Sequence, residues 1–183
     1  MHPLSTTFCA RDALDVAQDL LGCVVEHNGC SGMIVETEAY KRDPASHVYT
    51  LTPRSEIMLR THGRWYIYFI YGMYHCLNVT TNKGDVGAVL IRALEPLTGI
   101  DAMKQHRNTD SLHNLTNGPG KLCTALGLTR AHNDTPLTGP VRLLHHEKIP
   151  RERITATTRI GITKGAELPW RFYIQDNPYV SRK

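Results

Sequence analysis

Residues 64–80 read RWYIYFIYGMYHCLNVT. The run is dense in aromatic and β-branched residues and is broken by one glycine, Gly72. That composition predicts two strands, about 64–71 and 74–80, meeting at a tight turn near Gly72. Alternation puts Tyr66 and Tyr68 on one face and Tyr71 on the other, beside the turn, where it projects from the hairpin tip. A dry core strand would not carry Tyr66, Tyr68, Tyr71 and Tyr74 so close together, because each buried hydroxyl needs a partner. A stacking platform with one protruding ring accounts for them better.

Working outward, more strands flank this hairpin. CVVEHNGCSGMIVETEAY (23–40) reads as a second hairpin, since both turn residues of Asn28-Gly29 tolerate positive φ. Before it, RDALDVAQDLLG (11–22) is a helix with Ala13, Leu14, Ala17, Leu20 and Leu21 on one face, capped by Asp12 and ended by Gly22. After it, VGAVLIRALEP (86–96) is apolar on both faces, as a central strand is. Pro96 is expected to open a helix to about Arg107, with Leu97, Ile100 and Met103 inward. The polar stretch 108–118 is the expected mobile loop. GPGKLCTALGL (118–128) is a short helix with Pro119 in its first turn, and VRLLHH (141–146), TRIGITK (158–164) and RFYIQ (171–175) read as strands. Strands and helices in this proportion predict one α+β domain over residues 1–183, built on a mainly antiparallel sheet with flanking helices.

The totals set bounds. A net charge of +4 permits a polyanionic partner without demanding one. The five cysteines, at 9, 23, 30, 76 and 123, form no Cys-x-x-Cys unit and are odd in number, which favours a reducing cytoplasm over a disulfide framework. No signal peptide and no membrane-spanning run is expected. The ten histidines include no His-x-x-x-His pair, so no metal is expected. Gly118-Pro119-Gly120-Lys121 lacks the spacing of a nucleotide phosphate loop, but free N–H groups beside Lys121 suit a single phosphate.

In IVETEAY (34–40), strand alternation aims Glu36, Glu38 and Tyr40 to one face. Two exposed acids on a wet edge is the ordinary reading of such a pair. A ring alongside favours a shielded carboxylate acting as a base, and the pattern does not say which acid acts. Two acids near one site also suit glycoside cleavage. The residues thus admit a single-strand nucleic-acid module stacking on its tyrosines and a small-molecule glycoside or nucleoside hydrolase.

VETEAY, DPASH, TPR, YIYFIYGMYHCLNV, GAVLIRALEPL, NGPGKLC and PWRFYIQDNPYVS occur in this order between Phe8 and Ser181. Together they resemble the alkyladenine (3-methyladenine) DNA glycosylase family. The resemblance implies a mixed α/β domain with a curved antiparallel sheet, like the carboxy-terminal domain of formyltransferases. It implies Glu38 as the general base that activates water, with Arg92 holding that water. It further implies Tyr40, His47 and Tyr68 as walls around an extruded base, and Asn78 testing the purine edge. Tyr71 would intercalate from the minor groove, with Thr52, Met73, Tyr74, Arg107 and Lys121 on the DNA backbone. The expected enzyme is a monofunctional glycosylase of base excision repair, without cofactor or metal. It would act as a cytoplasmic, nucleoid-associated monomer on double-stranded DNA. Its expected lesions are 3-methyladenine and 7-methylguanine, with hypoxanthine and ethenoadenine as further candidates. The segment from Tyr40 to His47 is shorter than in vertebrate relatives, and Ser55 stands where asparagine is usual.

Overall fold

A computed structural model describes residues 1–46, 49, 52–53, 55–70, 72–81 and 86–182. Its strands are β1 (His2–Pro3), β2 (Val24–His27), β3 (Cys30–Tyr40), β4 (Trp65–Ile70), β5 (Tyr74–Thr80), β6 (Ala88–Thr98), β7 (Arg142–His145), β8 (Ile154–Thr157) and β9 (Arg171–Ile174). Its helices are α1 (Thr6–Cys9), α2 (Ala13–Asp19), α3 (Glu56–Arg60), α4 (Ile100–Arg107) and α5 (Pro119–Ala125). The strands form one curled, antiparallel half-barrel sheet in the order β1-β7-β2-β3-β6-β5-β4. The α+β architecture expected from the sequence is the one observed.

Two features produce the curl. β3 is long, and opposite its β6 edge it changes partners: residues 30–33 pair with β2 and residues 36–38 with β9, which also pairs β8. The β3–β6 register shifts on either side of Glu36, so that Arg92 falls between the Glu36–Ala93 and Thr37–Ile91 pairings. Such irregularities bend a strand and re-aim a side chain.

Alternation sorts the residues. Thr37, Ala39, Trp65, Ile67, Leu77, Val79, Val89 and Ile91 point to the face covered by α2, α4 and α5, where the main core lies. Thr37 ties this face to α2 through a 2.8 Å hydrogen bond to the Ala17 carbonyl, and the Trp65 indole donates to Val141 at 2.8 Å. Tyr66, Tyr68, Asn78, Ala88 and Leu90 face the other way, and α3 packs Ile57 and Met58 over Tyr66 and Ala88 there.

The hairpins and α2 agree with the sequence reading, down to the Asp12 side chain accepting from Leu14 N–H and the positive φ of Asn28 (47°) and Gly29 (77°). Three expectations fail. Pro96 does not open a helix: β6 runs on to Thr98, Leu97 is 38% exposed, and α4 begins after Gly99, whose φ is +72°. Proline fits because the ladder is already irregular there, with a register shift between Ser31 and Gly32, its partner. TRIGITK is not a strand; β8 lies upstream, and 158–164 crosses the sheet's end as a loop. Nor is 108–118 loose, since Leu115 and Thr116 are fully buried and Thr116 exchanges two hydrogen bonds with Leu94, one at 2.6 Å.

All five cysteines are free and buried. Burial pushes the Cys9 and Cys23 thiols up to about 12. Among the described residues no helix is long and apolar enough to cross a membrane.

Candidate active site

Tyr66, Asn78, Leu90 and Glu38 stand opposite one another on β4, β5, β6 and β3, forming one row across the sheet. The rows on either side carry Tyr68 opposite Cys76, and Thr80 opposite Ala88 opposite Tyr40. Strand alternation thus gathers residues from four strands on one face. A cavity of about 310 Å³ lies over them. Its walls include Tyr40, Tyr66, Tyr68, Tyr74 and Met58, closed by Pro119 and Gly120 at the start of α5 and by the loop at Ile160–Ile162; Asn78, Cys76, Leu90 and Arg92 also line it.

Glu38 is fully buried behind this lining. Its Oε1 accepts from the Ile160 N–H at 2.8 Å and lies 3.1 Å from Arg92 Nη1; its Oε2 accepts from the Tyr40 hydroxyl at 2.8 Å. Two carboxylate oxygens offer about four acceptor sites, so Oε2 keeps room for one more donor. Glu36 has as many partners, but two of the three, Arg171 and Ser181, do not line the cavity. Its Oε1 meets Arg171 Nη1 at 2.8 Å and Arg92 Nε at 3.3 Å, and its Oε2 accepts from the Ser181 N–H at 2.7 Å. Glu36 is thus a buried anchor for the arginine that reaches Glu38.

Burial, followed by the Glu38 carboxylate, pushes the Tyr40 hydroxyl well above its ordinary value, so it stays protonated and donates. Burial, followed by the neighbouring Cys76, does the same for Tyr68. The Asn78 side-chain nitrogen donates to the carbonyls of Tyr66 (3.0 Å) and Cys76 (3.2 Å), which fixes the amide against the cavity. Among the described residues six charged side chains are buried, three of each sign: Glu36, Glu38 and Asp43 against Arg92, Arg159 and Arg171.

The expected site residues thus divide. Glu38, Arg92, Tyr40, Tyr68 and Asn78 come together at one cavity. Tyr74 lines it too, 43% exposed, with Met73 beside it at 66%. Lys121 follows Gly120 on α5, bonded to Asn117 Oδ1 at 2.7 Å, and burial, then nearby Arg107, lowers its pKa. Arg107 ends α4 and donates to the Leu115 carbonyl at 3.2 Å. Thr52 precedes α3 and is exposed; its carbonyl accepts from the Ser55 and Glu56 N–H groups. Ser55, in the position where asparagine is usual, is fully buried as the cap of α3 and bonds Thr52 through its hydroxyl. His47 and Tyr71 lie outside the described residues. Among the described residues no three His, Cys, Asp or Glu side chains gather as metal ligands.

Sequence reasoning missed the loop at 158–165. Read as a strand, it offered no reason to send Ile160 and Ile162 to a cavity. Tyr66 and Cys76 were findable, because they share the alternation of Tyr68 and Asn78.

The family model described as methylpurine-DNA glycosylase (MPG) matches residues 7–178. The chain is 46% identical over 190 residues to a protein of Methanoculleus marisnigri, covering 98% of this chain and 99% of that one. It is 48% identical over 189 residues to one of Carboxydothermus hydrogenoformans, with 98% and 99% covered. It is 51% identical over 178 residues to one of Rhizobium etli, with 96% and 87% covered. All three are provisionally named 3-methyladenine DNA glycosylase. A match over almost the whole chain, on a fold that builds a carboxylate-backed, tyrosine-walled hollow, makes this chain a member of the methylpurine-DNA glycosylase family, enzymes that hydrolyse N-glycosyl bonds.

Proposed function

We propose that this chain excises alkylated purines from double-stranded DNA by hydrolysing the N-glycosidic bond with a water activated by Glu38, leaving an abasic site. The observation that carries this reading is that the Glu38 carboxylate is bonded to Tyr40, Arg92 and Ile160, each of which lines a cavity walled by tyrosines.

A purine within the duplex must be turned out before its sugar bond can be reached, at a cost of a few kcal/mol. Tyr71, next to Ile70 on the cavity wall, fills the gap from the minor groove. Met73, Tyr74, Thr52, Arg107 and Lys121 contact the flanking backbone. The turned-out base stacks between Tyr40, Tyr68 and His47. A methylated purine is cationic, and an electron-rich ring attracts such a cation by about 0.5–2 kcal/mol. Among the described residues the buried carboxylates equal the buried guanidiniums in number, so no excess of buried positive charge opposes it. Asn78, held by two donations, cannot swing aside, so an exocyclic amino group crowds it and guanine-type bases fit less easily than adenine-type ones.

Bond cleavage leaves positive charge on the sugar. Glu38 takes a proton from water and offsets that charge, while Arg92 orients the water beside it. No lysine lines the cavity among the described residues, which favours attack by water and release without strand cutting.

The test is base release from methylated duplex. Glu38→Gln should bind abasic-analogue duplex as wild type does while release falls about 10²–10⁴-fold, the usual contribution of a general base. Normal release by Glu38→Gln would remove the assignment.

A further inference from the structure

We propose that Arg159 is a positioning residue for this reaction, holding Tyr40 and the loop that orients Glu38 in a single arrangement. The inference rests on the function proposed above. Arg159 does not line the cavity, and its side chain is fully buried. Its two terminal nitrogens are committed: Nη2 to Asp43 Oδ1 (2.8 Å) and the Gly165 carbonyl (3.2 Å), Nη1 to Asp43 Oδ2 (3.3 Å) and the Ala39 carbonyl (3.1 Å). Its guanidinium sits 4.7 Å from the Tyr40 ring centre and 5.0 Å from that of Trp170.

Each of these contacts leads to the reacting groups. The Ala39 carbonyl lies between Glu38 and Tyr40. The next residue along, Ile160, donates its N–H to Glu38 Oε1. Asp43 also accepts from the Lys41 and Ala45 N–H groups, shaping the turn that brings Ala45 and Ser46 to the cavity. One planar fork therefore joins both segments that close the hollow, and it backs the face of Tyr40 that the cavity does not reach. Nε is buried and has no acceptor among the described residues, a cost that a purely space-filling role would not explain.

A buried ion pair can serve charge compensation alone, and Arg159→Lys separates the two roles. Lysine keeps the charge beside Asp43 but lacks the fork and the flat stacking surface. The measurement is single-turnover release of 7-methylguanine from methylated duplex, alongside binding to abasic-analogue duplex and the unfolding midpoint. A displaced group near the chemistry can lower the rate about 10²-fold. Arg159→Lys should therefore release base at least about tenfold more slowly, with affinity for the abasic duplex and the folded fraction close to wild type. Asp43→Asn, which keeps one of the turn's two acceptor oxygens, should slow release in the same direction and by less. It decides the matter if Arg159→Lys does not fold. Wild-type release by folded Arg159→Lys overturns the inference, as does a loss of release and binding in step with the folded fraction. If the wild type itself releases no methylated purine, the functional reading falls and this inference falls with it.

Discussion

Glu36 and Glu38 are chemically identical, two positions apart and equally buried, yet their surroundings give them different work. Glu36 bonds Arg92, Arg171 and the Ser181 N–H, and neither Arg171 nor Ser181 lines the cavity. Glu38 bonds Arg92, the Ile160 N–H and the hydroxyl of Tyr40, a tyrosine held protonated by burial, and all three residues line the cavity. Removing Glu36 leaves Arg171 and part of Arg92 uncompensated in the interior. Breaking a buried pair in this way costs about 3–5 kcal/mol, so Glu36→Ala should lower the urea unfolding free energy by that amount. Activity per folded molecule should fall less than with Glu38→Gln, because Arg92 still meets Glu38.

The elements show what sequence pattern can and cannot reach. Hairpins 24–40 and 65–80 were legible because Asn28-Gly29 and the Gly72 region punctuate alternating runs, and period-2 alternation is a local property. The end of β6 was not legible. Pro96 suggested a helix start, whereas the interruption comes three residues later, at Gly99. A Cβ there would come within 2.8 Å of the Gly29 carbonyl oxygen and of Cys30 Cα, at a φ of +72°. Gly99→Ala should therefore destabilise the chain by about 1–3 kcal/mol, seen as a lower thermal midpoint. The loop at 158–165 was illegible for another reason. Its path is set by Asp43, Glu38 and Tyr40, more than a hundred positions away, and no local pattern encodes that distance. The same holds for the core–cavity division: Glu38 and Tyr40 were found, but that Glu38 would stand behind the lining, reached past Tyr40 and Arg92, follows only from how four strands curl.

Across the whole molecule, charge outside the six balanced buried groups governs the response to solvent. Burial, then nearby His27, lowers the pKa of His132, and burial, then nearby Arg130, lowers that of His75. As pH falls past the ordinary histidine value of about 6.5, the unfolded chain takes up protons before the folded one does. Stability should thus be level above that pH and decline below it. Unfolding midpoints at neutral and mildly acidic pH should show the decline, and His132→Gln should flatten it. On the proposed function, Lys121→Ala should weaken DNA binding regardless of lesion and reduce the slope of log affinity against log salt by about one.

Glu36 finds Arg171 and the Ser181 amide 135 and 145 positions along the chain, and Glu38 finds the Ile160 amide 122 positions along. On a ribosome, β3 therefore emerges with Tyr40 beside Glu38, Arg92 follows, and the remaining partners of the two acids come much later. The half-barrel cannot close over them until the last quarter of these 183 residues has been synthesised. The chemistry at its centre thus waits until residues 160–181 have been made.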